Sequence, residues 1–151
     1  GVKMVRGAYM EIERERAKEK GYPSPIHDTK ADSDACYDSG ILAALDNADL
    51  VSLMAGTHNE NSCLLLMDEM AKRGMANNDA RICFAQLYGM SDNLSYNLAH
   101  NGYRVAKYRP YGSVEVVLPY LFRRAKENTS VAGQVGRELS LIVKEKSRRG
   151  L

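Results

Sequence analysis

Along this chain, stretches in which apolar and polar residues alternate give way to stretches with an apolar period of three to four, and the switch recurs several times. Residues 2–6 alternate, with Val2 and Met4 on one face and Lys3 and Val5 on the other. Residues 50–55, 81–87 and 103–108 are short apolar runs of strand length. Helical periods lie between them. Residues 32–47 carry Ala35, Ile41, Leu42 and Leu45 on one side, and residues 61–73 carry Leu64, Leu65, Met67, Met70 and Ala71 before Gly74. A shorter helix is predicted over 91–101, capped by Ser91 and closed by Gly102. Residues 11–20, EIERERAKEK, have no apolar face. Glu11 and Arg14, Glu13 and Arg16, and Glu15 and Lys18 stand three apart there, which predicts a solvated helix with pairs worth ~0.2–0.5 kcal/mol each. Gly21 ends it, and YPSP at 22–25 opens a loop. After the fourth strand, Pro110, Tyr111 and Gly112 turn the chain. Ser113 is the expected N-cap of a helix running to about 128, and a last helix is predicted over 134–149 with a basic end at Lys146, Arg148 and Arg149.

Strands that alternate with helices predict an α/β chain of parallel βα units. Four such units are half of an eight-stranded (β/α)8 barrel, which takes ~250 residues when complete. The expectation is therefore strands five to eight of such a barrel followed by a C-terminal helix, with the 151 residues forming one partial barrel domain. Val2 and Met4 would then pack outward and Lys3 would point inward. A half barrel leaves two open sheet edges, so the other half must come from the rest of a longer protein or from another chain. Gly1 leads straight into the first strand, with no starting methionine and no signal peptide, which also suggests a stretch of a longer protein. Such a piece alone is expected to fold poorly and to be inactive.

Composition narrows the function without naming it. The net charge of +2 gives no case for nucleic acid. No apolar run reaches the roughly 18–20 residues of a membrane span. Cys36, Cys63 and Cys83 lack metal-ligand spacing, so no metal is expected, and three unpaired cysteines suit a reducing compartment.

The candidate chemistry lies at strand ends and on one helix. Arg123 and Arg124 are adjacent on the helix after the fourth strand, with Tyr120 one turn before them and Glu127 one turn after. Two guanidinium forks side by side match a small carboxylate or a phosphate. Val116, Val117, Leu118, Leu121, Phe122 and Ala125 are expected to bury the rest of this helix. Tyr108 ends the preceding strand. Gly7 and Ala8 end the first strand with little bulk, which lets a ligand approach the backbone. Thr57, His58 and Asn59 form a polar loop after the second strand, where parallel sheets meet ligands. Gln86 and Leu87 stand at the end of the third.

Four blocks in this order, KMVRGAY at 3–9, GTHNE at 56–60, FAQLYGM at 84–90 and the Tyr120, Leu121, Arg123, Arg124, Glu127, Asn128 pattern, resemble the proline dehydrogenase family, and the resemblance covers nearly the whole chain. It implies FAD bound noncovalently and oxidation of L-proline to Δ1-pyrroline-5-carboxylate, with hydride passing from the ring carbon beside nitrogen to the flavin. It implies that Lys3, Val5, Gly7, Ala8, Thr57, His58, Asn59, Gln86 and Arg124 contact FAD. Leu87, Tyr108, Tyr120, Arg123, Arg124 and Glu127 would contact proline, with Lys3, Tyr108, Arg123 and Arg124 nearest the chemistry. In some members the glutamine comes one residue earlier, at the place of Ala85. The resemblance further implies a membrane quinone as electron acceptor. The location would be cytoplasmic and peripheral to the inner membrane in a bacterium, or mitochondrial in a eukaryote. Relatives that prefer hydroxyproline carry a smaller residue at Tyr108, so proline is the expected substrate.

Three other readings are open from the residues. One is a hydroxyproline dehydrogenase. A second is a Schiff-base lyase using Lys3 or Lys107. The third is a non-catalytic half barrel that binds a ligand.

Overall fold

A computed structural model describes residues 1–7, 9–129 and 132–150, and among these all side chains except those of 123, 125–129 and 132–138. They fall into two units, Gly1–Lys107 and Tyr108–Leu151. The first unit runs β1 (Val2–Val5), α1 (Met10–Lys20), α2 (Lys30–Asp46), β2 (Leu53–Gly56), α3 (Glu60–Lys72), β3 (Ile82–Leu87), α4 (Asp92–His100) and β4 (Val105–Tyr108), whose last residue opens the second unit. The second holds α5 (Val114–Thr129) and α6 (Ala132–Arg148).

The strands form one sheet in the order β1-β2-β3-β4, without reversal, and the β1–β2 and β2–β3 pairs are parallel. The α/β expectation with a parallel sheet is met. Register sets the two faces. Val2, Leu53 and Ile82 form one row, and Met4, Ala55 and Phe84 another; the residues between them, Lys3, Met54 and Cys83, then Val5, Gly56 and Ala85, point to the opposite face. Helices cover the first face. Tyr37, Ile41 and Leu45 of α2, Cys63, Leu66 and Met70 of α3, and Leu98 of α4 pack on Leu53, Ala55, Ile82 and Phe84. Phe84 also meets Tyr103 edge-on at 5.4 Å. Burying each of the larger side chains stabilises the unit by about 1.5–3 kcal/mol.

Several boundaries differ from the sequence expectation for local reasons. Leu50 is not in β2. The amides of Leu50 and Val51 both donate to the carbonyl of Asn47, a tight turn that leaves Leu50 87% exposed. α2 starts two residues early because the Thr29 side chain accepts from the amide of Asp32. Ala35 is exposed, and Tyr37 takes the core position instead. Gly21 and Gly74 end α1 and α3 with positive φ, as expected. On α1, Glu13 and Arg16 stand 3.9 Å apart, while Arg14 donates to the carbonyl of His27. In the second unit, Val116, Leu118, Leu121 and Phe122 are exposed, contrary to the burial expected of them. Pro119 lies inside α5 and removes the amide that would have bonded the Glu115 carbonyl. At the end of α6, Arg148 and Arg149 both bond Glu145 and hold its carboxyl at about 2. Among the described residues no helix is long and apolar enough to cross a membrane.

Burial pushes the Cys63 thiol up to about 12, and the Arg6 charge opposes it. Burial also raises the Tyr37 hydroxyl above its ordinary value, again against Arg6. In the unfolded chain the thiol ionises near 9. The folded state keeps protons there that the unfolded state releases, so this stability is fully present below pH 9 and is lost as pH rises towards 12. In denaturant melts of the full-length protein, Cys63→Ala is expected to flatten part of that alkaline fall. An unchanged slope would show that the thiol is not desolvated.

Candidate functional site

The C-terminal ends of β1 and β2 lie side by side, with Val5 opposite Gly56. Gly56 has a close neighbour on that strand. A Cβ built there would stand 2.9 Å from both the Met4 carbonyl oxygen and Val5 Cγ1, and 3.8 Å from Lys3 Cε. Lys3, Val5 and Gly56 therefore share the face opposite the core, and the glycine keeps it shallow. Along the open edge of β1 runs a cleft of about 410 Å³, lined among others by Lys3, Val5, Arg6, Gly7, Cys36 and Tyr37.

The loop from Gly56 to Glu60 is organised by its own side chains. Thr57 Oγ1 accepts from the amide of Asn59 at 3.0 Å, which folds the loop back on itself. The Asn59 carboxamide oxygen then caps α3 by accepting from the amides of Asn61 and Ser62, and its Nδ2 donates to Asp34. Arg6, the last charged residue of the first strand region, reaches into this loop. It pairs with Asp34 at 2.7 Å and donates to Ser62 Oγ at 3.1 Å and to Thr57 Oγ1 at 2.5 Å. Its guanidinium lies 4.3 Å over the Tyr37 ring. The Ser62 hydroxyl in turn donates a hydrogen bond to Asp38 at 2.6 Å. His58 turns away, with Nδ1 2.9 Å from Ser91 Oγ. Ser91 was expected to cap α4 with its side chain. It sits at the N-cap with φ 50° and makes no such bond.

At the end of β3 the faces separate two neighbours. Gln86 has the parity of Phe84 and is 2% exposed. Its Nε2 donates to the Thr57 carbonyl at 3.2 Å and its Oε1 accepts from Ser95 at 3.0 Å. That side chain supports the loop from the helix side, whereas Ala85 and Leu87 have the parity of the opposite face. Lys107 spends its three N–H bonds on the carbonyls of Leu87 and Met90 and on Asp92 at 2.7 Å. An amine so engaged has no lone pair aimed at a carbonyl, which disfavours the lyase reading for Lys107.

In the second unit the Tyr108 and Tyr120 rings meet edge-on at 5.8 Å, and the Arg124 guanidinium lies 5.4 Å from the Tyr120 ring. The one-turn spacing of Tyr120 and Arg124 on α5 produces the second contact. Ser113 precedes α5, and its carbonyl accepts from the amides of Val116 and Val117. Ala8 and the side chains of Arg123 and Glu127 lie outside the described residues.

Residues 1–137 match the family model described as proline dehydrogenase. The chain belongs to the proline dehydrogenase family. It is 43% identical over 99% of its length to proline dehydrogenase 1, mitochondrial, of Caenorhabditis elegans, and 41% identical over 99% to the human protein of that name. It is likewise 44% identical over 99% to the hydroxyproline dehydrogenase of Xenopus laevis. It covers 25%, 25% and 33% of those relatives, so it spans a quarter to a third of their length. Among solved structures it resembles proline utilization A of Bdellovibrio bacteriovorus, inactivated by N-propargylglycine, with a TM-score of 0.77 and 31% identity, covering 85% of this chain and 13% of that one.

Within this proline dehydrogenase segment, reading the sequence by motif missed Arg6, Asp34, Tyr37 and Ser62. A signal was present. Continuing the alternation of Val2 and Met4 puts Arg6 on the helix-facing side, where a charge needs partners. Asp34 supplies the charge, and Asp38, one helical turn on, accepts from the Ser62 that Arg6 also bonds. The close packing at Gly56 can be tested directly. Gly56→Ala is expected to push β1 from β2 and to cost about 1–3 kcal/mol of stability, read as a lower denaturant midpoint of the full-length protein. An unchanged midpoint would mean that β1 does not approach Gly56 as described.

Proposed function

We propose that this chain supplies the C-terminal half of the catalytic barrel of a proline dehydrogenase, strands five to eight, and that the complete protein oxidises L-proline to Δ1-pyrroline-5-carboxylate with FAD. The observation that carries the reading is the Tyr108–Tyr120–Arg124 stack, made by residues of the helix pattern that marks the family. The barrel is supported by the strand order, which runs β1 to β4 without the reversal of a doubly wound sheet. Parallel sheets are ordinarily covered on both faces. Within the first unit the core helices pack on Leu53, Ala55, Ile82 and Phe84, the face opposite Met54, Gly56, Cys83 and Ala85.

The residues present fit a flavin nucleotide. The face opposite the core is kept shallow by Gly56 and flanked by the Lys3 cation. FAD, when bound, would supply the acceptor for the hydride leaving the carbon beside the proline nitrogen, the nitrogen losing a proton as the C=N bond forms. The chain's own residues hold and orient. Arg123 and Arg124 clamp the carboxylate of proline, and Glu127 fixes one arginine or meets the substrate ammonium. Tyr108 and Tyr120 wall the ring, and Leu87 adds apolar contact. Lys3 places a positive charge where reduction builds negative charge. Thr57, His58, Asn59, Val5, Gly7 and Ala8 line the cofactor, while Gln86 serves by bonding the Thr57 carbonyl. Orientation of the reacting carbon supplies most of the rate gain. Electrons then pass to a membrane quinone, with the protein peripheral to the inner mitochondrial or bacterial membrane.

Hydroxyproline is the second reading, because a relative of that name is 44% identical. Overall identity does not separate the two substrates. Tyr108 does, since its ring, packed on Tyr120, leaves less room for a ring hydroxyl. The full-length protein, loaded with FAD and kept free of oxygen, is expected to lose its flavin absorbance on addition of proline and to respond far more slowly to hydroxyproline. Arg124→Met is expected to raise KM for proline at least ~10-fold, following the loss of a charged hydrogen bond. A protein that holds FAD but is never bleached by proline would leave the binding-module reading in its place. Faster bleaching by hydroxyproline would reverse the substrate assignment.

A further inference from the structure

The end of β4 is tied to the loop after β3 by one side chain. Alternation along β4 puts Val105 and Lys107 on the side of the core, where Val105 packs, and Ala106 and Tyr108 on the other. The Lys107 ammonium donates to the Met90 carbonyl at 2.6 Å and to the Leu87 carbonyl at 3.5 Å, and it pairs with Asp92, the first residue of α4, at 2.7 Å. The loop it holds is a tight turn. The Met90 amide donates to the Leu87 carbonyl at 3.1 Å, and Gly89 has φ 77°. Ser91 follows with φ 50°, a left-handed conformation that a serine adopts at a cost and keeps only where its surroundings impose it. Lys107 holds the carbonyl of the peptide before Ser91, and His58 Nδ1 stands 2.9 Å from the Ser91 hydroxyl.

We propose that Lys107 is a positioning residue for substrate selection, which locks the end of β4 to the β3–α4 loop and so fixes the directions of Leu87 and Tyr108. The inference rests on the function proposed above, in which those two residues meet the ring of the substrate. Leu87 supplies one of the carbonyls that Lys107 bonds, and Tyr108 is the next residue of the Lys107 strand. Successive side chains leave a strand on opposite sides, so anchoring Lys107 on the core side sets the direction in which Tyr108 leaves on the other. The bulk of Tyr108 excludes a ring hydroxyl only while the strand end stays in place. Without the ammonium the Met90 carbonyl loses that donor, Ser91 is free to relax from its left-handed conformation, and the loop shifts with Leu87 at its start. Lys107 itself touches no substrate.

The test uses the full-length protein loaded with FAD and kept free of oxygen, with flavin bleaching followed for proline and for hydroxyproline. Lys107→Met keeps the stem and removes the ammonium. It is expected to raise the proline concentration that half-saturates bleaching about tenfold, the scale of one charged hydrogen bond, and to change the limiting rate by less than about threefold. The preference for proline over hydroxyproline is expected to fall about fivefold in the same variant. A lysine that only staples the fold would lower the denaturant midpoint and leave that preference alone. Asp92→Asn keeps both carbonyl bonds and is expected to lower the preference about twofold. Combined with Lys107→Met it should add nothing, because Asp92 acts through Lys107. An unchanged preference in Lys107→Met would overturn the proposal, as would losses that multiply in the double variant. If Lys107→Met does not fold, Asp92→Asn decides, and a wild-type preference there overturns the proposal. Wild-type protein that holds FAD and is bleached by neither substrate is a different outcome, and it removes the proposed function together with this inference.

Discussion

Everything in the first unit depends on the parallel register of β1, β2 and β3. Met4 opposite Ala55 opposite Phe84 makes one continuous apolar row under α2 and α3. Because side chains alternate with period two, a slip of one residue would turn that row outward and bring Lys3 and Val5 under the helices. The same constraint gives the opposite face its character. Lys3 lies level with Met54 and Cys83, and Val5 with Gly56 and Ala85, so a cation and a set of small residues share one surface. The site and the core are thus fixed by one set of pairings.

Carried one step past the strand ends, the alternation creates an electrostatic problem that the loops solve. Arg6 falls on the side where helices pack. A charge there costs several kcal/mol unless it is paired and hydrogen-bonded. α2 brings Asp34, α3 brings Ser62, and the loop between β2 and α3 brings Thr57. The side chains that neutralise Arg6 also shape the polar loop. Asn59 caps α3 with its oxygen and holds Asp34 with its nitrogen, so the start of one helix is tied to the start of another. On the far side Gln86 does the equivalent for the Thr57 carbonyl, anchored by Ser95 of α4. A substitution at Asp34, Ser62 or Ser95 would therefore be felt in the loop between β2 and α3.

Much of this was legible in the residues, and the failures have physical causes. The strands, the helices and their order follow from apolar periods, and Gly21 and Gly74 mark helix ends because only glycine adopts positive φ cheaply. Leu50 misled because an apolar residue beside a strand looks like its continuation, whereas the amides of Leu50 and Val51 close a turn on Asn47. Ala35 and Tyr37 show the limit of a helical period read by eye, since either fits an apolar side and only the neighbours decide. The motif offers Gln86 as a cofactor contact, and its amide bonds the Thr57 carbonyl and Ser95. Alternation from Phe84 already placed it on the helix side, with Leu87 on the other. Ser91 does stand at the N-cap of α4, as its residue type suggests, with its hydroxyl beside His58 rather than on a backbone amide.

The second unit shows where local rules end and chemistry begins. Spacing alone puts Arg124 beneath Tyr120, one helical turn apart, and the structure has that contact. The Tyr108 ring is another matter. It belongs to the end of a strand, and its edge-on meeting with Tyr120 depends on how residues 109–113 turn the chain. No period predicts that. Two aromatic rings with a guanidinium over one of them would suit many small anions with an apolar body. On the reading proposed above, that anion is a cyclic amino acid. On that proposed reading, the bulk of Tyr108, packed edge-on against Tyr120, would be what separates an unsubstituted ring from a hydroxylated one.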